Sequence, residues 1–593
     1  MALVTEKSRP WWKEAVIYQI YPASFLDTNG DGWGDINGIT SRLDYLKGLG
    51  VDVLWLSPIY ESPMADMGYD ISNYKRIHAP YGDMDDVDRL IRELKTRDMK
   101  LIMDLVVNHT SNQHAWFLES RSSTTNPKRD WYIWKKPVYD AAGNPHPPNN
   151  WGQILGEANS AWIYDETTQE YYLAIFTPEQ PDLNWENPAV RAAVHDILRF
   201  WLDRGVAGFR MDVINLISKH PAFPDADLVM PGERYQPGTP FFANGPRLHE
   251  FLAEIKTKVL DTYPHEVMTV GEMPFVPDER DIVAITHQET GFLNMVFNFD
   301  LCEIDACRGG IPGDFRMSVG EWEVADLRAA VVRWQRLMAD GGGWNSVYCE
   351  NHDQPRSVSH FCDDSDEWRA LGSKLMAMME TTLCGTLFVY QGEELGMRNL
   401  PREWGVEEYK DVESGNFWKK VNQMYPGDEA KLDSARKALR AKARDNTRTP
   451  VQWTSDPHAG FCKPEVKPWM RVNDDYPIVN AAAQLEDGQS VYHFWQRMLR
   501  FRKERPEVFV HGEFQVVDGE NKQVFAYARV GADGERWIVA LNFTGRDAMV
   551  RPGEKVKWEV WNYVGEGEEF FVEGLEGGVK MRPWEGMIGR VVV

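Results

Sequence analysis

Eight short runs rich in β-branched and apolar residues recur along the first 396 positions, and their spacing limits the folds open to this chain more than any other feature. They are AVIYQIYPASF (15–25), VDVLWLSP (51–58), LIMDLVVNH (101–109), GFRMDVI (208–214), VMTVGEM (267–273), LNMVFNFD (293–300), NSVYCENHD (345–353) and TLFVYQGEELG (386–396). Runs of this length read as strands. Most gaps between them carry helical periodicity, as in 83–99, in 188–203 with Pro188 at the helix start, and in 325–339. Strands alternating with helices pair in parallel, and eight such units predict a (β/α)8 barrel of the α/β class, with an open doubly wound sheet as the alternative.

Three stretches depart from that repeat. Residues 110–182 are rich in Trp, Pro, Asn and Ser with short strands such as EYYLAIF, too long for a loop, and predict a subdomain inserted after the third strand. A second insertion, 400–487, separates the eighth strand from an amphipathic helix near 490–503. From about 507 to 593, strand follows strand with Gly turns (EFQVVDGENKQVFAYARV, GERWIVALNFTG, KWEVWNYVGEG), which predicts a C-terminal antiparallel β-sandwich. The barrel is then built from 1–109 and 183–506.

In such barrels, chemistry gathers where the strands end. The third run carries Asp104 and ends Asn108-His109, the fourth carries Arg210 and Asp212, the fifth ends at Glu272, and the seventh ends Asn351-His352-Asp353. Arg210 and Asp212, two apart, share a strand face. Three carboxylates on one rim, with two histidines and no cysteine or hydroxyl nucleophile, suit acetal cleavage. One ionised carboxylate attacks or stabilises an oxocarbenium-like centre, and one protonated acid delivers a proton to the departing oxygen. Arg210 marks Asp212 as the ionised nucleophile, because a nearby positive charge favours the charged form. Glu272, flanked by Val270 and Met273, is expected to retain its proton through desolvation. A net charge of −25 argues against phosphate backbones and anionic lipid surfaces and points to a neutral ligand. The 24 Trp residues exceed what a core requires and suit stacking on sugar rings.

The ordered motifs DLVVNH, QPDLN, GFRMDVIN, GEMP and ENHDQPR resemble the signature regions of the α-amylase superfamily, and more narrowly those of its oligo-1,6-glucosidase, isomaltase and maltase group. The resemblance covers nearly the whole chain, from IYQIYPASF to the C-terminal sandwich. It implies a retaining, exo-acting α-glucosidase with Asp212 as nucleophile, Glu272 as acid/base and Asp353 as transition-state stabiliser. It further implies that His109 and His352 bind hydroxyls of the first sugar, that Arg210 orients the nucleophile, and that Phe176 and Gln180 line the substrate site. In ADMGYD and ARDNTRTPVQW it implies that Asp66 pairs with Arg444 to close the pocket, with Tyr69 stacking nearby. Val213 accompanies α-1,6 cleavage in this group, which leaves α-1,4 activity open. Phe275 stands where bacterial relatives commonly have Gly. The alternative is a sucrose isomerase or trehalose synthase on the same scaffold; the Arg-rich loop of sucrose isomerases has no counterpart in GFLNMVFNFDLCEID. A non-catalytic heavy subunit of amino-acid transporters would lack catalytic positions that are present here.

Asp27, Asn29, Asp31 and Asp35, with Gly32 at the sixth position, resemble the first half of a calcium-binding loop, although the twelfth position is Gly38 rather than Glu. Hard oxygen ligands favour Ca²⁺ or Mg²⁺, and an Asx-rich turn without metal is the alternative. The resemblance implies a structural calcium, with the Trp33 carbonyl as a further ligand. Six cysteines without CxxC spacing read as buried free thiols. With no apolar leader core and no membrane span, the expectation is a cytoplasmic monomer or homodimer that binds an oligosaccharide, and neither nucleic acid nor membrane. The sequons at Asn108 and Asn542 are expected to be chance.

Overall fold

The structure, a computed structural model, describes residues 9–156, 159–306, 317, 319–563, 570–572 and 578–592. Cys307 and the 564–567 end of the last predicted strand run lie outside the described residues. Each of the eight runs contains a strand shorter than itself, because the polar tail of the run leaves the sheet and forms the rim. The strands are β1 (Val16–Ile20), β2 (Val53–Leu56), β3 (Lys100–Val106), β4 (Gly208–Asp212), β5 (Met268–Glu272), β6 (Met295–Phe297), β7 (Ser346–Val347) and β8 (Thr386–Tyr390). They form one sheet in the order β6-β5-β4-β3-β2-β1-β8-β7, all neighbours parallel. Across β6 and β7 the ladder gives way to side-chain bonds: the Ser346 hydroxyl donates to the Val296 carbonyl at 2.7 Å and the Tyr348 hydroxyl to that of Asn298. This brings the sheet to a nearly closed barrel, as the alternation of strands and helices predicts.

Helices α1 (Leu43–Leu49), α2 (Met84–Thr96), α3 (Pro188–Asp203), α4 (Leu248–Lys258), α5 (Glu279–Thr286), α6 (Val324–Gly341), α7 (Arg369–Thr382) and α8 (Val491–Glu504) follow the strands in turn. The start of α2 is fixed by a reciprocal capping box between Asp83 and Asp86, and Val87, Leu90 and Leu94 form its buried stripe. No helix among the described residues is long and apolar enough to cross a membrane.

The strand period of two sorts the barrel into layers. Inside, Ile17, Val53, Ile102 and Met268, then Trp55, Val270, Phe297 and Phe388, pack into an apolar plug. Outward-facing Val16, Leu54, Leu101, Phe209 and Val389 pack in the main core with residues of the helices, such as Leu90, Leu198 and Leu375. The next inward positions up each strand are polar: Gln19, Asp104, Arg210 with Asp212, and Glu272. The site therefore sits on top of a plug that excludes water from below.

Two insertions wall this rim. The first, after β3, carries a three-stranded antiparallel sheet with Glu170–Leu173 between Trp134–Lys135 and Trp162–Asp165. The second contributes two helices, Val412–Met424 and Glu429–Lys442, that share a small core of Phe417, Val421, Ala435 and Leu439. Asn416 ties the two together by donating to the Leu155 carbonyl at 2.7 Å. Beyond α8 lie β9 (Glu513–Val517), β10 (Val524–Val530), β11 (Arg536–Asn542), β12 (Ala548–Val550), β13 (Val556–Trp561), β14 (Phe570–Val572), β15 (Val579–Met581) and β16 (Gly586–Val591). Six form an antiparallel sheet, β9-β10-β11-β16-β13-β14, and β12 pairs with β15. One face of the larger sheet (Val524, Ala526, Ile538, Ala540) packs with β12 and β15, and the other (Phe525, Tyr527, Val539, Leu541) belongs to the barrel's core. The Tyr527 and Thr382 hydroxyls meet at 2.6 Å across that seam.

Asn108 and Asn542 are fully buried, and their amides bond to Asp182 and to the Arg546 and Arg582 carbonyls, which leaves neither open to a glycan in the folded protein. The five described cysteines are free and buried or half-buried.

Glu380 on α7 is wholly buried near Glu350, Glu393 and Cys349, and burial pushes its carboxyl up to about 8. The folded protein therefore keeps this proton at pH 7, while the unfolded chain loses it near 4.3. Stability carried by the group is full below about pH 4.3 and declines as the pH rises to about 8. Glu380→Gln cannot ionise, so its Tm should exceed that of the wild type at pH 8 and match it near pH 4.5 in scanning calorimetry.

Candidate active site

Arg210 stands on β4 between Asp104 of β3 and Val270 of β5. Two residues further up the strands, where a second inward position faces the opening, come Asp212 and Glu272. The guanidinium Nη1 donates to Asp104 Oδ1 at 2.8 Å and to Asp212 Oδ1 at 2.7 Å, and Nη2 donates to Glu272 Oε2. One cation thus holds three carboxylates. The expectation that Arg210 singles out Asp212 is corrected here, because its charge is shared with Glu272. The apolar surround expected for Glu272 is also absent. Val270 and Met273 point into packed layers, while the carboxylate accepts from Arg210 and, at 3.2 Å, from the Val213 N–H. Burial pushes Asp212 well above the usual carboxylate range; Arg210 pulls against that, and Glu272 and Asp104 add to it. Asp104 is pushed up to about 6, chiefly by burial.

Val213, directly after Asp212, lies in the left-handed region at φ 33, where a β-branched residue is strained. The turn aims its N–H at Glu272 and buries its side chain against the insertion, beside Trp151, Ile175 and Phe242.

The second wall of the site comes from the chain after β7. His352 is fully buried, and burial lowers its imidazole to about 3, so it is neutral. The Gln19 amide reaches Nδ1 at 2.8 Å, and Nε2 faces the Tyr69 hydroxyl at 2.6 Å and Asp353 Oδ2 at 3.1 Å. Tyr69 lies flat on His352, with centroids 5.3 Å apart and planes at 7°, and its hydroxyl also meets Asp104 at 3.1 Å. His109 is likewise buried and its imidazole lowered by burial. It contacts the Tyr69 carbonyl at 3.1 Å, the Gln180 amide at 3.2 Å and the Phe176 ring at 5.1 Å.

The far end is closed by ion pairs. Arg444 Nη2 meets Asp66 Oδ1 at 3.0 Å, and Gln180 donates to Asp66 Oδ2 at 3.1 Å. Arg444 also reaches Asp353 at 3.3 Å and Asp411 at 2.8 Å, and Arg448 reaches the same two aspartates at 2.8 and 2.7 Å. Asp66, Tyr69, His109, Phe176, Gln180, Asp212, Val213, Glu272, Asp353 and Arg444 all line one cavity of about 310 Å³. Arg210 and His352 stand directly behind that wall, in contact with its carboxylates. A cavity with Asp66, Asp212, Glu272, Asp353 and the Arg444 guanidinium on its wall can grip a polyhydroxylated ring and bring two carboxylates to bear on one bond.

The comparisons with known proteins agree with this geometry. Residues 19–512 match the alpha amylase catalytic domain family. The chain belongs to the alpha-amylase family. An alpha-glucosidase of Schizosaccharomyces pombe is 49% identical over 542 residues, covering 91% of this chain and 92% of that one. An oligo-1,6-glucosidase of Parageobacillus thermoglucosidasius is 43% identical over 589 residues, covering 98% and 99%. Among solved structures, the isomaltulose synthase of Erwinia rhapontici NX5 is similar at a TM-score of 0.89 and 37% identity, covering 100% of both chains. The trehalose-6-phosphate hydrolase of Bacillus licheniformis is similar at a TM-score of 0.87 and 39% identity, covering 98% and 100%.

In this alpha-amylase-family chain the 27–35 loop is knitted by its own amides. Asp27 accepts from Gly30 and Gly32, Asn29 from Asp31, Asp31 from Trp33, and Asp35 from Thr28, Asn29 and Gly38. These side-chain-to-amide bonds are those of linked Asx turns. The loop still presents only hard oxygens. Trp33 stacks on Trp469 at 5.3 Å, which docks the loop on the second insertion.

Sequence reasoning missed Arg448 and Asp411. Arg448 was readable in principle, four residues after Arg444 in the same motif and so on the same side of a helical turn. Asp411 carries no local signal, and only the fold places it between the two arginines. Burial opposes its ionisation, yet Arg444 and Arg448 together hold it below the usual carboxylate range. Asp411→Asn leaves two buried guanidiniums short of an anion and should cost about 3 to 5 kcal/mol. That is read as a fall in Tm at pH 7 that narrows as the pH drops below about 3.9, where the unfolded wild-type chain takes up a proton that the folded aspartate resists.

Proposed function

We propose that this chain is an exo-acting, retaining α-glucosidase that releases terminal glucose from short α-glucosides, isomaltose and isomalto-oligosaccharides first and maltose second. The observation that carries the reading is the blind end of the pocket, where the Asp66–Arg444 pair at 3.0 Å closes the cavity behind the Asp212 and Glu272 carboxylates. A chain end can enter such a pocket, whereas the middle of a polymer cannot.

The chemistry follows from the carboxylates. Asp212 attacks the anomeric carbon as Glu272 gives its proton to the departing glycosidic oxygen; water, deprotonated by Glu272, then attacks the glucosyl ester and restores both groups. The first step requires a proton on Glu272. The Arg210 Nη1 bond at 2.7 Å favours the ionised form of Asp212 against its burial. Asp353, oriented by Arg444, Arg448 and His352, stands beside the positive charge that develops on the ring. His109, His352, Asp66 and Arg444 supply hydroxyl contacts. Retention calls for a carboxyl separation of roughly 5 to 5.5 Å, and two carboxylates that share one guanidinium suit the close spacing. The resemblance to the oligo-1,6-glucosidase group ties Val213, the residue after the nucleophile, to α-1,6 cleavage. The free thiols suit the reducing cytosol.

Glucose release from isomaltose, maltose, sucrose and soluble starch, with Glu272→Gln as the blank, tests the reading. The disaccharides should react and starch should not, and proton NMR should detect α-glucose as the first anomer released. Asp212→Ala should retain its circular dichroism spectrum and lose turnover by a factor of about 10³ or more. Rapid cleavage of starch to oligosaccharides, or β-glucose as the first product, would overturn it.

We also propose that Asp27, Asn29, Asp31, Asp35 and the Trp33 carbonyl hold a structural Ca²⁺, on the strength of their oxygen chemistry. The ion would exchange places with the loop's own amide contacts and take no part in the reaction. Chelation should lower the Tm by several degrees and added calcium should restore it, with Asp31→Ala insensitive to both. A wild-type Tm indifferent to chelator would dismiss the ion.

A further inference from the structure

Lys219 carries its charge into the interior beside the site, and all three of its ammonium hydrogens are taken up there. Nζ donates to Asn108 Oδ1 at 2.9 Å and to the Leu216 carbonyl at 2.7 Å, and it pairs with Asp182 Oδ2 at 2.8 Å. Lys219, Asn108 and Asp182 are all buried. An ammonium donates and never accepts, so the oxygen of the Asn108 amide must face Lys219 and its NH2 must face the other way. That NH2 meets Asp182 Oδ2 at 3.3 Å and His109 Nδ1 at 3.2 Å. Burial lowers the His109 imidazole below its ordinary value, so the ring is neutral at pH 7 and holds one proton. Nδ1 faces a group that only donates, and the proton therefore lies on Nε2.

The other edge of the ring is contested. Nε2 lies 3.1 Å from the Tyr69 carbonyl, which only accepts and so calls for the same proton. Gln180 calls for the opposite. Its Oε1 takes the Thr177 hydroxyl at 3.0 Å and its NH2 donates to Asp66 Oδ2 at 3.1 Å, which turns that NH2 toward His109 Nε2, 3.2 Å away. A lone pair on Nε2 would receive it. The Lys219 charge, acting through an amide that it keeps from turning, weights the balance toward the Nε2 proton. With the proton on Nδ1, two lone pairs would oppose each other across the contact with Tyr69. The turn that brings Asp66 and Tyr69 to the cavity wall would then lose its bond to His109. We propose that Lys219 is a positioning residue that, through Asn108, fixes the His109 proton on Nε2 and so seats Asp66 and Tyr69 where the first sugar binds. The effect on substrate rests on the glucosidase reading; the place of the proton does not.

Nitrogen-15 NMR of the full chain labelled at histidine, with His109 assigned from the signals lost in His109→Gln, reads the proton directly. The wild type should show His109 protonated at Nε2 and bare at Nδ1 at pH 7. Lys219→Met frees the Asn108 amide to turn and should bring protonation to Nδ1. It should also raise KM for isomaltose and maltose roughly ten-fold, about 1.4 kcal/mol, with kcat within about two-fold, as the loss of one hydrogen bond in the binding wall requires. Lys219→Arg keeps a cation against Asn108 and should restore both the Nε2 proton and the wild-type KM. A loss of folded enzyme alone would lower kcat and leave KM unchanged. Asn108→Asp keeps every partner of Lys219 but offers the ring only acceptors, and it should place a proton on Nδ1. A wild type protonated at Nδ1 would overturn the proposal, as would a Lys219→Met enzyme unchanged in both proton and KM. Should Lys219→Met not fold, an Asn108→Asp spectrum with Nδ1 still bare would do the same. A wild type with the Nε2 proton that releases no glucose from either disaccharide removes the glucosidase reading and leaves the relay from Lys219 to His109 standing.

Discussion

The site depends on one guanidinium. Arg210 sits on the plug of the barrel with carboxylates on three sides, and its charge offsets much of the cost of burying Asp104, Asp212 and Glu272 together at their shared rim. The apolar layers below it, with Ile102, Val270 and Phe297, keep water from screening the cluster. The same low dielectric that makes the carboxylates repel one another makes each contact with Arg210 strong. The rest of the rim is arranged around that balance. Tyr69 satisfies the second oxygen of Asp104, and His352, kept neutral by burial, adds no charge of its own.

A second balance closes the pocket. Arg444 and Arg448 share Asp411 behind the wall and both reach Asp353 in front of it, so charges fasten the insertion after β8 to the rim, while Val451, Trp453 and Ala481 join it to the barrel's core. The insertion after β3 contributes Phe176 and Gln180, and the Asn416 bond to Leu155 joins the two insertions. The barrel supplies the reacting groups and the insertions supply the shape.

Much of this was legible before any coordinates. The alternation of β-branched runs with helical periodicity gave the barrel, since burial on both faces of a parallel sheet leaves continuous apolar strands. Arg210 and Asp212 were readable as neighbours because a strand repeats every two residues. The electrostatic reason expected for the protonation pattern was incomplete. It treated Arg210 as a partner of the residue two positions away, whereas in space Asp104, 106 positions away, and Glu272, 62 positions away, hold it as closely. Nor did the sequence disclose the left-handed backbone at Val213 and Phe275, since neither residue type favours that conformation.

The sequence by itself determined the strand count, the face each rim residue occupies and the oxygen and carboxylate chemistry on offer, because these follow from local periodicity and side-chain type. The tertiary structure alone decided which charges neutralise which. Asp104 and Glu272 share Arg210 from 106 and 62 positions away, and Asp411, with nothing around it to mark it, became the anion that orients two arginines. Coulombic pairing depends on distance across the fold and on burial, and neither is written in the spacing along the chain.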